Sequence, residues 1–220
     1  MAREHDPTAQ GLTGPRLGRD FFAEDVLDVA PALLGCTVTH AGVTVRLTEV
    51  EAYAGLADPG SHAFRGPTPR TEVMFGPAGH LYVYFTYGMH WCANVVCGSD
   101  GEASAVLLRA GEVVGGEDLA AQRRAGIPRR DWTRGPARLA TTLALRGDQS
   151  GLDACMPQGP LAFHAPVERV PARRIRTGPR VGVAGAGGDA AAYPWRFWVD
   201  GEPSVSVYRP AKPRARRSDT

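Results

Sequence analysis

The sequence predicts an α+β fold: a single mixed domain with a curved antiparallel β-sheet, a protruding β-hairpin and short surrounding helices. Three observations support this prediction. Several segments alternate apolar and polar residues with the period of a half-buried strand, whereas helical patterns are few and short. Turn residues, 27 glycines and 18 prolines among 220 residues, are spread evenly along the chain, which favours one domain of short elements. With 43% hydrophobic residues, the chain can bury a sizeable core.

The first predicted elements are a short helix and a pair of strands. Residues 25–34 form an apolar helical segment that ends at Gly35, and glycine is the residue type favoured at helix C-termini. Two strands follow within residues 37–53. They are joined at Ala41-Gly42, a dipeptide suited to a tight turn.

A second hairpin is predicted after a Gly/Pro-rich loop at residues 55–79. Residues 80–86 alternate as a strand, Tyr87-Gly88-Met89 forms the tip, and residues 91–97 return. The remaining predicted elements are strands at residues 103–109, 196–199 and 203–208, and helices around residues 117–124 and 136–145.

Glu51 is the first candidate for chemistry. On a regularly alternating strand, Glu49, Glu51 and Tyr53 share a face with the apolar positions 43, 45 and 47. A carboxylate at the border of an apolar face is partly desolvated, which raises its proton affinity and suits a general base. The alternative, which the pattern alone favours, places both glutamates at the solvated end of an edge strand.

Aromatic side chains surround the second hairpin: Tyr82, Tyr84, Tyr87, His90 and Trp91. Aromatic faces suit stacking on a flat ring such as a nucleobase, although ordinary cross-strand packing is the simpler explanation for most of the cluster. Tyr87 differs because it lies beside a glycine at a turn, where there is little core to fill. It is therefore a candidate wedge between base pairs.

Charge is divided unequally between the two halves of the chain. Residues 1–120 contain 7 basic and 15 acidic side chains, whereas residues 121–220 contain 18 basic and 8 acidic ones. Two arginine-rich runs, residues 123–146 and 169–180, are candidates for phosphate contacts along a duplex, with a solvated basic face as the equal alternative. The only lysine is Lys212 in the C-terminal tail, which excludes a core Schiff base and a GK[ST] phosphate loop.

Other features of the sequence indicate where the protein is located and whether it requires a cofactor. No apolar stretch is long enough to cross a bilayer, the first ten residues contain no signal-peptide core, and four cysteines show no CxxC spacing. We therefore expect a cytoplasmic protein, nucleoid-associated if bacterial, with no metal and no other cofactor. We also expect a monomer with flexible ends at residues 1–16 and 209–220.

Six blocks of the sequence resemble the 3-methyladenine (alkyladenine) DNA glycosylase family, the purine-DNA glycosylase type. They are TEVEAYAG (48–55), SHAFRGPTPR (61–70), MFGPAGHLYVYFTYGMHWCANVV (74–96), AVLLRA (105–110), RGPARL (134–139) and RVGVAGAG (180–187). The similarity extends from about Leu17 to Val207, which implies that residues 17–208 form a DNA glycosylase domain. Two positions depart from the family pattern: His90 replaces an aromatic residue such as tyrosine, and Ala184 replaces a glycine.

The resemblance implies a role for each residue that falls on a family motif. Glu51 would be the general base, and Arg109 would help to hold the attacking water. The residues implied to bind the damaged base are Tyr53, His62, Tyr84, Asn94 and Val183. The residues implied to contact DNA are Tyr87 as the wedge, Met89 and His90 in the minor groove, and Arg70 and Arg138.

The function implied by the resemblance is that of a monofunctional DNA glycosylase acting on duplex DNA. It would flip an alkylated or deaminated purine out of the helix, hydrolyse the N-glycosidic bond with a Glu51-activated water, and leave an abasic site for base excision repair. Two alternatives stay open: a damaged-DNA-binding protein without activity, and a nucleosidase acting on free nucleosides. Glu51 and Arg109 argue against the first, and Tyr87 with the basic second half argues against the other.

Overall fold

An antiparallel β-sheet of eight strands is the framework of the computed structural model, which describes residues 13–211. The strands are β1 (Thr37–His40), β2 (Val43–Ala54), β3 (Leu81–Thr86), β4 (His90–Cys97), β5 (Ser104–Gly115), β6 (Leu161–His164), β7 (Ile175–Gly178) and β8 (Arg196–Val199). The helices are α1 (Arg19–Phe22), α2 (Val26–Ala32), α3 (Glu117–Arg123) and α4 (Pro136–Thr142). A sheet with a few short helices confirms the predicted α+β class.

The order of strands across the sheet is β3-β4-β5-β2-β1-β6, with β8 pairing to the second half of β2 and β7 pairing to β8. The main hydrophobic core lies against one face, where α2 and α4 cover the long strands β2 and β5. A smaller cluster around Met74, Tyr82 and Ala105 forms separately from that core. Within residues 13–211, no helix is long and apolar enough to cross a membrane.

A break in the strand register decides on which face the two glutamates lie. β2 pairs with β5 as Leu47↔Gly111 and then as Glu49↔Ala110, so Thr48 is an extra residue in the strand. Beyond this β-bulge, Val50 joins Leu47 in the main core, and Glu49 therefore faces the other way. The predicted regular alternation was wrong because one extra residue reverses the faces of a strand.

The alternative that placed the glutamates on a solvated edge strand is also wrong. β2 lies between β5 on one side and β1 and β8 on the other. The side chains of Glu49 and Glu51 are both fully buried. Two carboxylates in the interior of a sheet require specific partners, because burial of an unpaired charge is costly.

Local signals in the sequence correctly located several element ends. The side chain of Asp25 caps α2 by accepting a hydrogen bond from the Leu27 amide, at 2.7 Å. Pro136 is the first residue of α4, where its missing N–H has no cost. The first hairpin turns at Ala41-Gly42, with φ angles of 47° and 79°.

The predicted strand at residues 203–208 was wrong, because these residues form a loop instead. Their backbone polar groups bond to side chains: the Ser206 amide donates to Glu49, and the Val205 carbonyl accepts from Arg134. The short strands β6 and β7 were not predicted, and β5 is longer than expected. The ends predicted to be flexible fall outside the described residues apart from 13–16 and 209–211, so their boundaries stay predictions.

Candidate active site

A cleft of about 270 Å³ opens beside the β3–β4 hairpin. Its volume is near the lower end for small-molecule sites, which suits a single planar ring system. Neighbouring strands supply part of the wall, with Glu51 from β2, Tyr84 from β3, Asn94 from β4 and Arg109 from β5. Loops at residues 60–62 and 181–183 complete it.

The carboxylate of Glu51 is buried and held at both oxygens. Its Oε2 accepts a hydrogen bond from the Tyr53 hydroxyl at 2.8 Å, and its Oε1 accepts one from the Val181 amide at 2.7 Å. The Arg109 Nη1 lies 3.2 Å from the same Oε1. Burial, followed by the charge of Glu51, raises the pKa of Tyr53 well above its usual value, so the Tyr53 hydroxyl remains a donor.

Arg109 connects Glu51 to a second buried carboxylate, Glu49. The Arg109 Nε donates to Glu49 Oε1 at 2.8 Å, and the Arg196 Nε donates to the same oxygen at 2.7 Å. Although burial raises the pKa of Glu49, the charges of Arg109 and Arg196 together with the Ser206 amide bring it below its usual value. Burial lowers the pKa of Arg109, but both glutamates raise it more. A fixed positive charge therefore stands beside Glu51.

Aromatic rings form the walls of the cleft. Tyr84 stacks on Tyr82 with ring centroids 5.4 Å apart, and His62 meets the Tyr84 ring edge-on at 4.6 Å. Tyr53 rests on the buried guanidinium of Arg180, whose carbon lies 4.5 Å from the ring centroid. Such rings, held in place by neighbours, are suited to stack on a planar base.

His62 is held in a neutral state at the mouth of the aromatic wall. Although the residue is exposed at the surface, desolvation of its ring by the surrounding protein and the positive charge of Arg70 lower its pKa to about 4. Its Nδ1 lies 3.0 Å from the Tyr82 hydroxyl and 3.5 Å from an Arg70 guanidinium nitrogen, which can only donate. Nδ1 therefore acts as the acceptor, which leaves the proton on Nε2 as a donor.

A buried ion pair fixes the loops behind Tyr53. Arg180 is fully buried and donates to Asp58 Oδ1 at 2.7 Å, to the Ala52 carbonyl at 3.0 Å and to the Gly187 carbonyl at 2.6 Å. These bonds join β2 to the two loops that flank the cleft. Both alternatives given for this part of the arginine-rich run, a phosphate contact and a solvated basic face, are wrong for Arg180, because its side chain is buried and paired with Asp58.

These features, a buried glutamate beside an arginine in an aromatic cleft, agree with the comparison to known sequences. A profile of the family described as methylpurine-DNA glycosylase (MPG) matches residues 20–203. The chain belongs to the methylpurine-DNA glycosylase family. The resemblance inferred from the six sequence blocks is thereby confirmed.

Curated relatives are similar over nearly their whole length. A protein of Streptomyces avermitilis is 53% identical over 208 residues, which cover 92% of this chain and 96% of the relative. A protein of Frankia casuarinae is 52% identical over 204 residues, covering 89% and 94%, respectively. One of Rhodopseudomonas palustris is 44% identical over 207 residues, covering 94% and 98%. Each is named “Putative 3-methyladenine DNA glycosylase”.

In this methylpurine-DNA glycosylase, the cleft brings together most of the predicted site residues. Those that line it are Glu51, Tyr53, His62, Tyr84, Tyr87, Asn94, Arg109 and Val183. Asn94 is fixed by a 3.0 Å hydrogen bond from its Nδ2 to the Tyr82 carbonyl. It is Val181, rather than Val183, that contacts Glu51 through its amide.

The predicted DNA-contacting residues of this family member lie at the surface. Tyr87 is 82% exposed at the hairpin tip, Met89 is 67% exposed, and His90 follows them. The Arg70 guanidinium lies 5.3 Å from the Tyr84 ring centroid. Arg138 on α4 is half-exposed and lies 3.3 Å from Asp131.

Sequence reasoning missed the residues that support Glu51, Arg109 and the loops beside them. They are Glu49, Asp58, Arg180, Val181 and Ser206. The E-x-E spacing of Glu49 and Glu51 on one strand was the available signal for the first of them. Within residues 13–211, no three His, Cys, Asp or Glu side chains are grouped so that they could hold a metal ion.

Proposed function

We propose that this methylpurine-DNA glycosylase is monofunctional, extrudes alkylated or deaminated purines from duplex DNA, and hydrolyses their N-glycosidic bond with a water that Glu51 activates. The observation behind the proposal is the buried Glu51 carboxylate, oriented by Tyr53, Val181 and Arg109 in a cleft sized for one base. A general base must be within reach of its water and held in place, and this carboxylate is held at both oxygens.

Hydrolysis requires an exchange of bonds at the sugar and a proton transfer from water. Glu51 accepts a proton from water, the water oxygen bonds to C1′, and the bond from C1′ to the base nitrogen breaks with its electron pair going to the base. A cationic alkylated purine thereby leaves as a neutral molecule, whereas a neutral deaminated purine also takes up a proton as it leaves. The sugar becomes cationic as the base departs, and the negative carboxylate beside it stabilises that charge. Arg109 pairs with the same carboxylate and helps to fix its position beside the sugar.

The aromatic walls select the base. A purine between Tyr53 and Tyr84 gains stacking on both faces, and an alkylated, cationic purine gains a further attraction to the ring faces. Neutral His62 offers a donor from Nε2 to the edge of the base. Asn94, locked to the Tyr82 carbonyl, limits the space for an additional amino group.

Tyr87 is the wedge that fills the gap left by the extruded nucleotide. Its ring is exposed at a hairpin tip and has no packing role there that would explain an aromatic side chain. Extrusion costs a few kcal/mol, less at a damaged and weakly paired base, and an inserted aromatic ring offsets part of that cost. The only lysine of the chain is Lys212 in the C-terminal tail, so water rather than an amine is the nucleophile and the strand is not cut.

The proposal is tested with duplexes that contain one ethenoadenine, hypoxanthine or 3-methyladenine. We expect base release from at least one of them, with strand breaks that appear only after alkali treatment. Strand breaks without alkali would contradict the monofunctional mechanism. Release from free nucleosides at an equal rate would identify a nucleosidase, and lesion binding without release would identify a damage-binding protein.

A further inference from the structure

A second groove adjoins the cleft and is rich in arginine. This arginine groove is lined by Arg134, Arg138 and Arg209 together with Asp131, Ser206 and Val207, and it has a volume of about 410 Å³. Arg109 and Val181 line both the groove and the cleft. A ligand in the groove would therefore be separated from the nucleotide in the cleft only by the residues that hold Glu51.

The groove keeps an uncompensated positive charge. Asp131 is its only acidic lining residue, and it lies 3.7 Å from Arg134 and 3.3 Å from Arg138. One carboxylate at these distances cannot neutralise three arginines. The charge of Arg109 does not add to the groove, because it is taken up by Glu49 and Glu51.

Arg134 is held in place before any ligand binds, and the backbone of Arg209 is anchored. Arg134 Nε donates to the Val205 carbonyl at 3.0 Å, and its side chain is one-third exposed. The Arg209 carbonyl accepts a hydrogen bond from the Gly182 amide at 3.0 Å, which ties the backbone of this residue to the loop that closes the cleft. Because its guanidinium is fixed, Arg134 loses less side-chain entropy when it binds an anion.

We propose that the arginine groove binds a backbone phosphate attached to the extruded nucleotide, on its 5′ or its 3′ side. This inference rests on the proposed function, because it requires a nucleotide with its base in the cleft. A phosphodiester is the anion that such a nucleotide always brings with it, and paired guanidinium nitrogens match its oxygens. The groove thereby positions the sugar against Glu51, rather than simply attracting the duplex.

The test combines a change in the protein with a change in the DNA. Duplexes contain one ethenoadenine and either an ordinary backbone or a neutral methylphosphonate at the 5′ or the 3′ linkage of that nucleotide. The proteins are the wild type, the double variant Arg134→Gln/Arg209→Gln, and the control variant Arg130→Gln. Arg130 is 74% exposed, lies 3.9 Å from the same Asp131 and does not line the groove.

For the wild type, we expect a methylphosphonate at one of the two linkages to weaken binding by about tenfold or more, because a charge-assisted hydrogen-bond pair is lost. The double variant should bind the ordinary duplex more weakly, with a salt slope smaller by about one phosphate contact, and its discrimination against the methylphosphonate should be several-fold smaller than that of the wild type. Arg130→Gln should keep the full discrimination.

An undiminished methylphosphonate effect in the double variant would overturn the proposal, as would no effect at either linkage in the wild type. Thermal unfolding identifies a variant that has lost its fold, and the single variant Arg209→Gln then replaces the double variant because only the backbone of Arg209 bonds to Gly182. Excision by the wild type is measured on the ordinary duplex in parallel. Absence of that excision would contradict the proposed function, whereas excision without the phosphate effect would contradict the groove alone.

Discussion

Tyr87 occupies a backbone position that disfavours it, and this predicts an unusual pair of effects for Tyr87→Gly. Its φ angle is +53° and that of Gly88 is +67°, which are the left-handed values of a type I′ turn. A residue with a Cβ atom costs about 1–2 kcal/mol in this region, and glycine does not. With the ring 82% exposed, little buried surface compensates for that cost.

We expect Tyr87→Gly to leave the free energy of unfolding unchanged or to raise it by up to about 1.6 kcal/mol. Relief of the left-handed strain stabilises the folded state, while the greater freedom of glycine in the unfolded chain costs about 0.4–1 kcal/mol. Excision from a duplex should fall in the same variant. A stacked aromatic ring contributes about 2 kcal/mol, which corresponds to roughly a 30-fold lower rate.

The chain contains a matched control in its other hairpin turn. Ala41 has a φ angle of +47° and precedes Gly42 at +79°, so Ala41→Gly relieves the same kind of strain in a different hairpin from that of the proposed wedge. Urea unfolding gives the stability of both variants, and single-turnover excision gives their activity on duplex and on single-stranded DNA. Ala41→Gly should match the wild type in excision, and Tyr87→Gly should lose less on single strands, where no partner base has to be displaced.

Two results would refute this reasoning. Full excision of a duplex lesion by Tyr87→Gly would show that the ring is not a wedge. A loss of stability greater than about 1 kcal/mol would show that the ring supports the fold instead.

Three further predictions concern the buried charges and His62. Asp58→Asn removes the counter-charge of the buried Arg180, so the free energy of unfolding measured in urea should fall by about 3–5 kcal/mol. A fall of less than about 1 kcal/mol would contradict the structure of this ion pair. Glu49→Gln removes the carboxylate shared by the buried Arg109 and Arg196, so urea unfolding should show a loss of about 3–5 kcal/mol, and a loss below about 1 kcal/mol would contradict the structure of this cluster. Desolvation of the ring and the charge of Arg70 lower the pKa of His62 from 6.5 to about 4, so the unfolded state takes up a proton first as the pH falls. Stability should therefore be lost between about pH 6.5 and 4, less steeply in His62→Gln than in the wild type, and equal slopes in urea titrations would contradict the assignment.

The parts of the fold that the sequence predicted depend on local chemistry. Ala41-Gly42 and Tyr87-Gly88 specify turns because glycine accepts positive φ angles, and Asp25 and Pro136 mark helix starts through their own backbone effects. The residues of the cleft, by contrast, were identified from the motif blocks. Periodicity within one segment cannot show that side chains from four strands and two loops meet in one place.

The errors come from contacts between distant parts of the chain. No glycine or other turn residue marks the β-bulge at Thr48 in the sequence. The bulge reverses the face of the sheet on which every later residue of β2 lies. Arg180 stands in a run that reads as a solvated basic face, yet its partner Asp58 is 122 residues away. Residues 203–208 alternate like a strand, but the Ser206 amide donates its hydrogen bond to the buried Glu49 carboxylate instead of to a neighbouring strand.

The most direct test of the central claim compares Glu51→Gln with the wild type on a duplex that contains one excised lesion. Glutamine keeps the size of the side chain and an oxygen that can accept from Val181 or Tyr53, but it cannot take a proton from water. Glu112→Gln on the surface is the matched control, since it makes the same change of charge at a half-exposed side chain.

We predict that Glu51→Gln binds the lesion duplex as tightly as the wild type, within a few-fold, and excises the base at least about 100-fold more slowly under single-turnover conditions. Glu112→Gln should match the wild type in both measurements. Excision by Glu51→Gln within tenfold of the wild-type rate would contradict the assignment of Glu51 as the general base.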